Sequence, residues 1–171
     1  MLPCTLSYEK RILMKFQLLM IPLLLTGTLF AEFKVGEKLP SISLPDQFEN
    51  TLQVKSTDRL LILAFEKDIS SAINDYLKTQ PADYLKEHHA RYISDISAMP
   101  SLITSMFAMP KMKKFPFSIM LINDDLGKEF GKEEGKITVY RIENHQIKAV
   151  EFIAPDQLPA LFQSHLIGKE R

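Results

Sequence analysis

Ser70 and Ser71 follow a continuous apolar run, Leu60-Leu61-Ile62-Leu63-Ala64-Phe65, across a polar link, Glu66-Lys67-Asp68-Ile69. A serine hydroxyl in such a place can do one of two things. As a nucleophile it needs a base within hydrogen-bond reach. As a helix cap it accepts a backbone N–H of the first turn. No G-x-S-x-G elbow is present, and nothing in the spacing ties His145 or His165 to Ser70. The expected role of Ser70 is therefore the cap, and serine-dependent, hydrolase-like activity stays as an alternative.

Methionine offers a second chemistry. Met106, Met109 and Met112 recur at three-residue spacing, with Met99 ahead of them. Thioethers suit Cu(I), which makes copper handling through Met99–Met112 a further alternative. Methionine also fills irregular core gaps, and Pro110 interrupts the ladder. Apart from that alternative, no metal or cofactor is expected. Asp124-Asp125 lacks the alternating oxygen ligands of a calcium loop, because Leu126 and Gly127 break the pattern, so a turn is expected. His88 and His89 are adjacent, and on a helix they point in different directions. Lys128, Lys132 and Lys136 interleave with Glu129, Glu133 and Glu134, as on a solvated surface.

The chain as a whole is globular in composition, at 46% hydrophobic and 25% charged, and its formal net charge of +0 carries no basic run for nucleic acid. One domain is expected for 171 residues. The first 31 residues differ from the rest. Lys10, Arg11 and Lys15 precede an apolar run from Phe16 to Phe30 that is broken by Gln17, Pro22 and Thr26-Gly27-Thr28 and ends at Ala31. This is the plan of a secretory signal peptide, and the run is short for a membrane span. The expectation is a cleaved segment over 1–31, a domain over 32–171 and a periplasmic location. Membrane contact is then limited to export or to an uncleaved N-terminal segment. Cys4 is the only cysteine. Once residues 1–31 are removed, no thiol chemistry is left.

The elements that must hold these residues follow in order. Ile42 and Leu44 alternate with serines between Pro40 and Pro45, and Thr51–Val54 alternates again, which predicts a hairpin. The run 59–65 predicts a strand buried on both faces. A helix bearing Ile73, Tyr76 and Leu77 follows, then a shorter helical piece opened by Pro81. Tyr92, Ile93 and Ile96 predict a second central strand. Residues 100–114 read as a helix with Leu102, Ile103, Met106, Phe107 and Met109 as its apolar part, kinked or ended by Pro110. Strands are predicted over 117–122, 137–142 and 147–153, a short helix over 126–130, a hairpin turn at Glu143-Asn144-His145-Gln146 and a closing helix over 156–166. Alternating strands and helices define an α/β layered domain with a mixed sheet.

That order resembles the thioredoxin-like superfamily in its peroxiredoxin and TlpA-like branch. The likeness is carried by Val35-Gly36-Glu37-Lys38-Leu39-Pro40 with Leu44-Pro45-Asp46, by the strand 61–65, and by Asp124–Gly131 with the last hairpin. The stretch 93–152 is also similar to the YtfJ-like family of small exported proteins, through Ala98-Met99-Pro100 and Lys113-Lys114-Phe115-Pro116-Phe117. The resemblance implies a three-layer sandwich, a mixed central sheet flanked by helices with an N-terminal β-hairpin. It also implies where the redox cysteines would stand, at Ser70 and Ile73. Neither residue carries sulfur, and no proline stands near Gly135-Lys136-Ile137, where the family has one. Thiol-disulfide oxidoreductase or peroxidase activity is not expected. What remains is a non-catalytic binding module for a periplasmic protein or small ligand. Its candidate edge comprises Lys67, Asp68, Ser70 and Ser71, with Lys136 opposite.

Overall fold

The computed structural model describes residues 32–167 of the chain, the side chains of Leu166 and Ile167 excepted. The expected signal peptide over 1–31 and Cys4 lie outside the described residues. Seven strands and several short helices form a five-stranded mixed sheet with helices and a two-stranded hairpin around it.

The sheet is built outward from β3, Leu60–Ala64. β3 pairs in parallel with β4, Ala90–Asp95, and antiparallel with β6, Ile137–Glu143. β5, Met120–Ile122, joins β4 in parallel, and β7, Gln146–Ile153, joins β6 antiparallel. The order is β5-β4-β3-β6-β7. The expected parallel crossover from β3 to β4 is present. It runs through α1, Lys67–Leu77, and α2, Tyr84–Glu87. Asn144 and His145 make the two-residue β6–β7 turn, with φ of 49° and 65°, the left-handed values such a hairpin demands. The N-terminal hairpin forms as expected from β1, Ser43–Pro45, and β2, Thr51–Gln53.

Alternation along β3 creates two cores. Leu60, Ile62 and Ala64 face one, shared with Ile69, Ile73 and Leu77 of α1 and with Leu158, Leu161 and Phe162 of α5, Leu158–Ile167. Leu61 and Leu63 face the other, shared with Ile42 and Leu44 of the hairpin region and with Phe130 and Tyr140. This two-sided burial is why the run reads as uniformly apolar.

The expected helix cap is corrected. Ser70 does not cap α1. The helix starts at Lys67, behind an extended Glu66, and the Ser70 N–H donates to the Glu66 carbonyl at 2.9 Å. The stripe Ile69–Ile73–Leu77, at four-residue spacing, must turn toward the sheet together, and that draws the start back past Ser70. The helix around Pro110, expected to kink or end there, continues two residues past it and is irregular before it. Residues 101–112 run through α3, Ser101–Ile103, a π-helical turn, Thr104–Ala108, and α4, Met109–Met112. Proline crowds the carbonyl four residues back, and the wide turn before it, with the Met109 N–H on the Thr104 carbonyl, removes that clash. The same segment turns Leu102, Ile103, Met106 and Phe107 to solvent, so it packs through Met109 and Met112 instead.

β5 is shorter than the predicted 117–122 because a side chain replaces part of its ladder. Gln47 is fully buried, its Nε2 donates to the Phe117 carbonyl at 2.7 Å, and its Oε1 accepts from the Ile119 N–H at 2.9 Å. This glutamine fastens the N-terminal hairpin to the sheet edge. Replacing Gln47 by Leu strands one buried donor and one buried acceptor, each worth about 1–3 kcal/mol. Urea unfolding of Gln47→Leu is expected to show a loss of about 2–4 kcal/mol, whereas Gln53→Ala, at an exposed position, is expected to change stability by less than about 0.5 kcal/mol.

Candidate functional site

The parallel strands β3, β4 and β5 all end at one edge of the sheet, and β6 begins there. In open α/β sheets this carboxyl-end edge is where ligands bind. Four loops meet at it, residues 65–67, 96–100, 123–124 and 132–136. Two are joined directly: the Gly135 N–H donates to Glu66 Oε1 at 2.9 Å, with Gly135 at φ 69°. Lys132 adds a cation 5.9 Å from the centre of the Phe65 ring. Lys136 is thus brought to the same edge as the start of α1. Lys67 and Asp68 are exposed there, and Ser70, Ser71 and Lys136 are half-buried.

Ser70 points inward. Its hydroxyl lies 3.1 Å from that of Ser94 on β4, and the Tyr92 hydroxyl donates to the Ser70 carbonyl at 3.5 Å. Tyr92 and Ser94 are 1% and 2% exposed. Three hydroxyls therefore rivet α1 to the middle of the sheet, where the family resemblance places a thiol. Burial pushes the Tyr92 phenol up to about 12, with its bonds to Ser70 and Ser94 opposing the shift. Ser94 and Tyr92 were not among the residues expected at the site. The available signal was their place on the strand that had to lie beside β3.

The histidines serve elsewhere. His88 is buried, its Nδ1 lies 2.8 Å from the Tyr84 carbonyl, and its ring meets Phe162 edge-on at 5.1 Å. Burial, with Arg141 next, lowers the His165 pKa, and a bond to the His88 backbone opposes it. The nucleophile–base pair required of a serine hydrolase is not assembled around Ser70: its side-chain partner is another serine. The methionines are also separated. Met106 is 59% exposed, whereas Met99, Met109 and Met112 pack against the core. Among the described residues no group of three His, Cys, Asp or Glu could hold a metal.

A groove of about 530 Å³ opens beside this edge. Its walls are Pro45, Asp46 and Glu49 of the hairpin, Ile96, Ser97, Met99 and Ser101 after β4, Thr104, Ser105 and Met109 of the helical segment, and Leu121 with Asn123 at the end of β5. Lys67, Ser70 and Lys136 do not line it.

This arrangement of sheet, crossover and hairpin is a thioredoxin-like α/β sandwich. Solved structures agree. Peroxidoxin BcpB from Mycobacterium tuberculosis is 15% identical, with 80% of this chain and 98% of that one aligned at a TM-score of 0.54. A putative thiol:disulfide interchange protein DsbE from Chlorobium tepidum is 13% identical over 80% and 98%, at 0.53. A hypothetical protein, SMc02350, from Sinorhizobium meliloti 1021 is 14% identical over 80% and 86%, also at 0.53. At these identities the likeness is one of fold. The chain matches no family model and no curated protein sequence.

The buried phenol gives the rivet a pH signature. A tyrosine of the unfolded chain titrates near 10.0 and the folded Tyr92 near 12. Its neutral form stabilises the fold fully below pH 10, and that contribution is lost as pH rises toward 12. Tyr84 and Tyr140 are shifted upward as well, both by burial first. Denaturant titrations across this range are expected to show falling stability. Tyr92→Phe should flatten the fall, and an unchanged slope would show that Tyr92 does not carry it.

Proposed function

We propose that this chain is an exported thioredoxin-fold protein that works by binding at the carboxyl-end edge of its sheet and not by thiol-disulfide exchange. One observation carries the reading: the first turns of α1 hold Ser70 against Ser94 and Tyr92, in a chain whose only cysteine is Cys4. Disulfide exchange needs a thiolate to attack and a thiol to leave. A serine hydroxyl supplies neither, and here it is committed to holding helix and sheet together.

The edge keeps the means to bind. Lys67 and Asp68 are exposed at the helix start, and Lys136 is held nearby by the Glu66–Gly135 bond. The adjoining groove mixes Pro45, Ile96, Met99 and Leu121 with the polar Ser97 and Asn123. Apolar walls with a few polar groups are the usual composition of a peptide or small-ligand site. Export is supported by the basic start and apolar run of residues 10–31, and by the likeness of residues 93–152 to the YtfJ-like exported proteins. Among the described residues no helix is long and apolar enough to cross a membrane.

Two measurements test this reading. Reduction of insulin by dithiothreitol is expected to proceed at the same rate with and without the protein, and any acceleration counts against a binding role. In a periplasmic pull-down, Lys67→Ala with Asp68→Ala is expected to lower capture of the bound protein about tenfold, the size of a modest hot spot. Unchanged capture would move recognition away from this edge.

A further inference from the structure

The helical segment 101–112 is inside out. Leu102, Ile103, Met106 and Phe107 are 64%, 45%, 59% and 64% exposed. Their spacing, i, i+1, i+4 and i+5, places them together on one face of a helix. Four large apolar side chains grouped on a surface mark a place of contact. The opposite face is fixed: Met109 and Met112 pack into the core beside Phe115. The outer face is therefore held at a set angle to the domain.

Charge, polarity and shape together say what covers it. Between Asp95 and Asp124 the sequence contains no aspartate or glutamate, and it contains Lys111, Lys113 and Lys114. All three lysines are exposed, at the end of the same helical segment. Asp75, on neighbouring α1, is held by Lys78 at 2.7 Å, and Lys78 lies 5.1 Å from the centre of the Phe115 ring. Lys111, Lys113 and Lys114 thus flank one end of the apolar face, with Asp75 near Lys111 and Glu49 across the neighbouring groove.

Two hydroxyls of the segment spend their protons on its own backbone. The Thr104 hydroxyl donates to the Pro100 carbonyl and the Ser105 hydroxyl to the Leu102 carbonyl, both at 3.3 Å, so both are turned back into the helix. A protein partner is ordinarily matched by about one hydrogen bond per 100–200 Å² of interface. None of the four apolar side chains lines the neighbouring groove, which takes Thr104, Ser105 and Met109 from this segment. They project from a convex helix. Projecting apolar groups with three exposed lysines at one end match a fluid, anionic lipid surface.

We propose that this segment docks the domain on an anionic bilayer. Leu102, Ile103, Met106 and Phe107 enter the acyl boundary, and Lys111, Lys113 and Lys114 meet lipid phosphates. The contact is reversible, because four side chains on a short segment insert shallowly. It is separate from the edge binding proposed above: Lys67, Asp68 and Lys136 take no part in it, and none of the four apolar side chains lines the groove.

The test uses the full chain with Cys4→Ser and an environment-sensitive fluorophore on Phe107→Cys. A second sample carries the fluorophore on Lys148→Cys, on β7 at the far edge of the sheet. Because the chain keeps its apolar run 16–30, vesicle association alone decides nothing, and the readout is the surroundings of each label. On vesicles of equal parts phosphatidylglycerol and phosphatidylcholine, the label at 107 is expected to shift to the blue and to be quenched by lipid-borne quencher. The label at 148 stays solvated. Replacing Lys111, Lys113 and Lys114 by Gln is expected to raise the lipid concentration needed for the shift at 107 by about tenfold or more, since each lysine near an anionic surface is worth several-fold. A label at 107 that stays water-like on vesicles overturns the proposal. So does shielding of that label without lipid: independent of protein concentration, it assigns the face to the chain's own run 16–30, and rising with concentration, it assigns the face to a second copy. An equal shift on pure phosphatidylcholine that the lysine replacements leave unaltered removes the anionic recognition and overturns it as well.

Discussion

Leu60, Ile62 and Ala64 point into one core, and Leu61 and Leu63 into the other, so β3 has no side that water can reach. Burying a leucine or isoleucine side chain stabilises by about 1.5–3 kcal/mol, so the four large residues of this strand contribute about 6–12 kcal/mol. That is comparable with the whole net stability of an ordinary domain, about 5–15 kcal/mol. Every other layer is placed by reference to this strand. α1 and α5 cover one side. The hairpin region, Phe130 and Tyr140 cover the other. β4 and β6 complete its two hydrogen-bonded edges.

The same constraint locates the candidate site. A strand buried on both faces can lead to exposed side chains only beyond its ends, and β3, β4 and β5 end together. α1 must start at once after β3 for Ile69, Ile73 and Leu77 to reach the core, and this draws Ser70 inside the helix. Once there, Ser70 faces β4 and meets Ser94 and Tyr92. The hydroxyl rivet follows from packing, and it satisfies polar groups that burial would otherwise penalise. The fold is thioredoxin-like, and this junction serves its cohesion.

Side-chain patterns made much of this legible. The uniform run 60–65, the alternation in 137–142 and 147–153, and the turn at Asn144-His145 are local signals, each set by residues close in the chain. The absence of sulfur near Ser70 needed no structure. The misread features depend on distant partners. Gln47 lies in the link between the two hairpin strands, yet its amide completes a sheet edge about seventy residues away in the chain. Ser70 looked like a cap because capping preference is local, whereas the helix start was decided by the sheet. Leu102, Ile103, Met106 and Phe107 read as the apolar part of a helix, and periodicity reports that a helix has an apolar side, not which way that side faces.

Residue types by themselves determined the class of the domain, the order of its elements and the absence of sulfur at positions 70 and 73, because hydrophobic period and residue identity are properties of the chain. Tertiary structure decided what Ser70 touches, which glutamine closes β5 and which face of the segment 101–112 meets solvent. The physical reason is common to all three: the wide π-helical turn before Pro110, the reach of Gln47 and the phase of α1 are set by which surfaces β3 and its neighbours leave to be covered, and that geometry exists only when the layers are assembled.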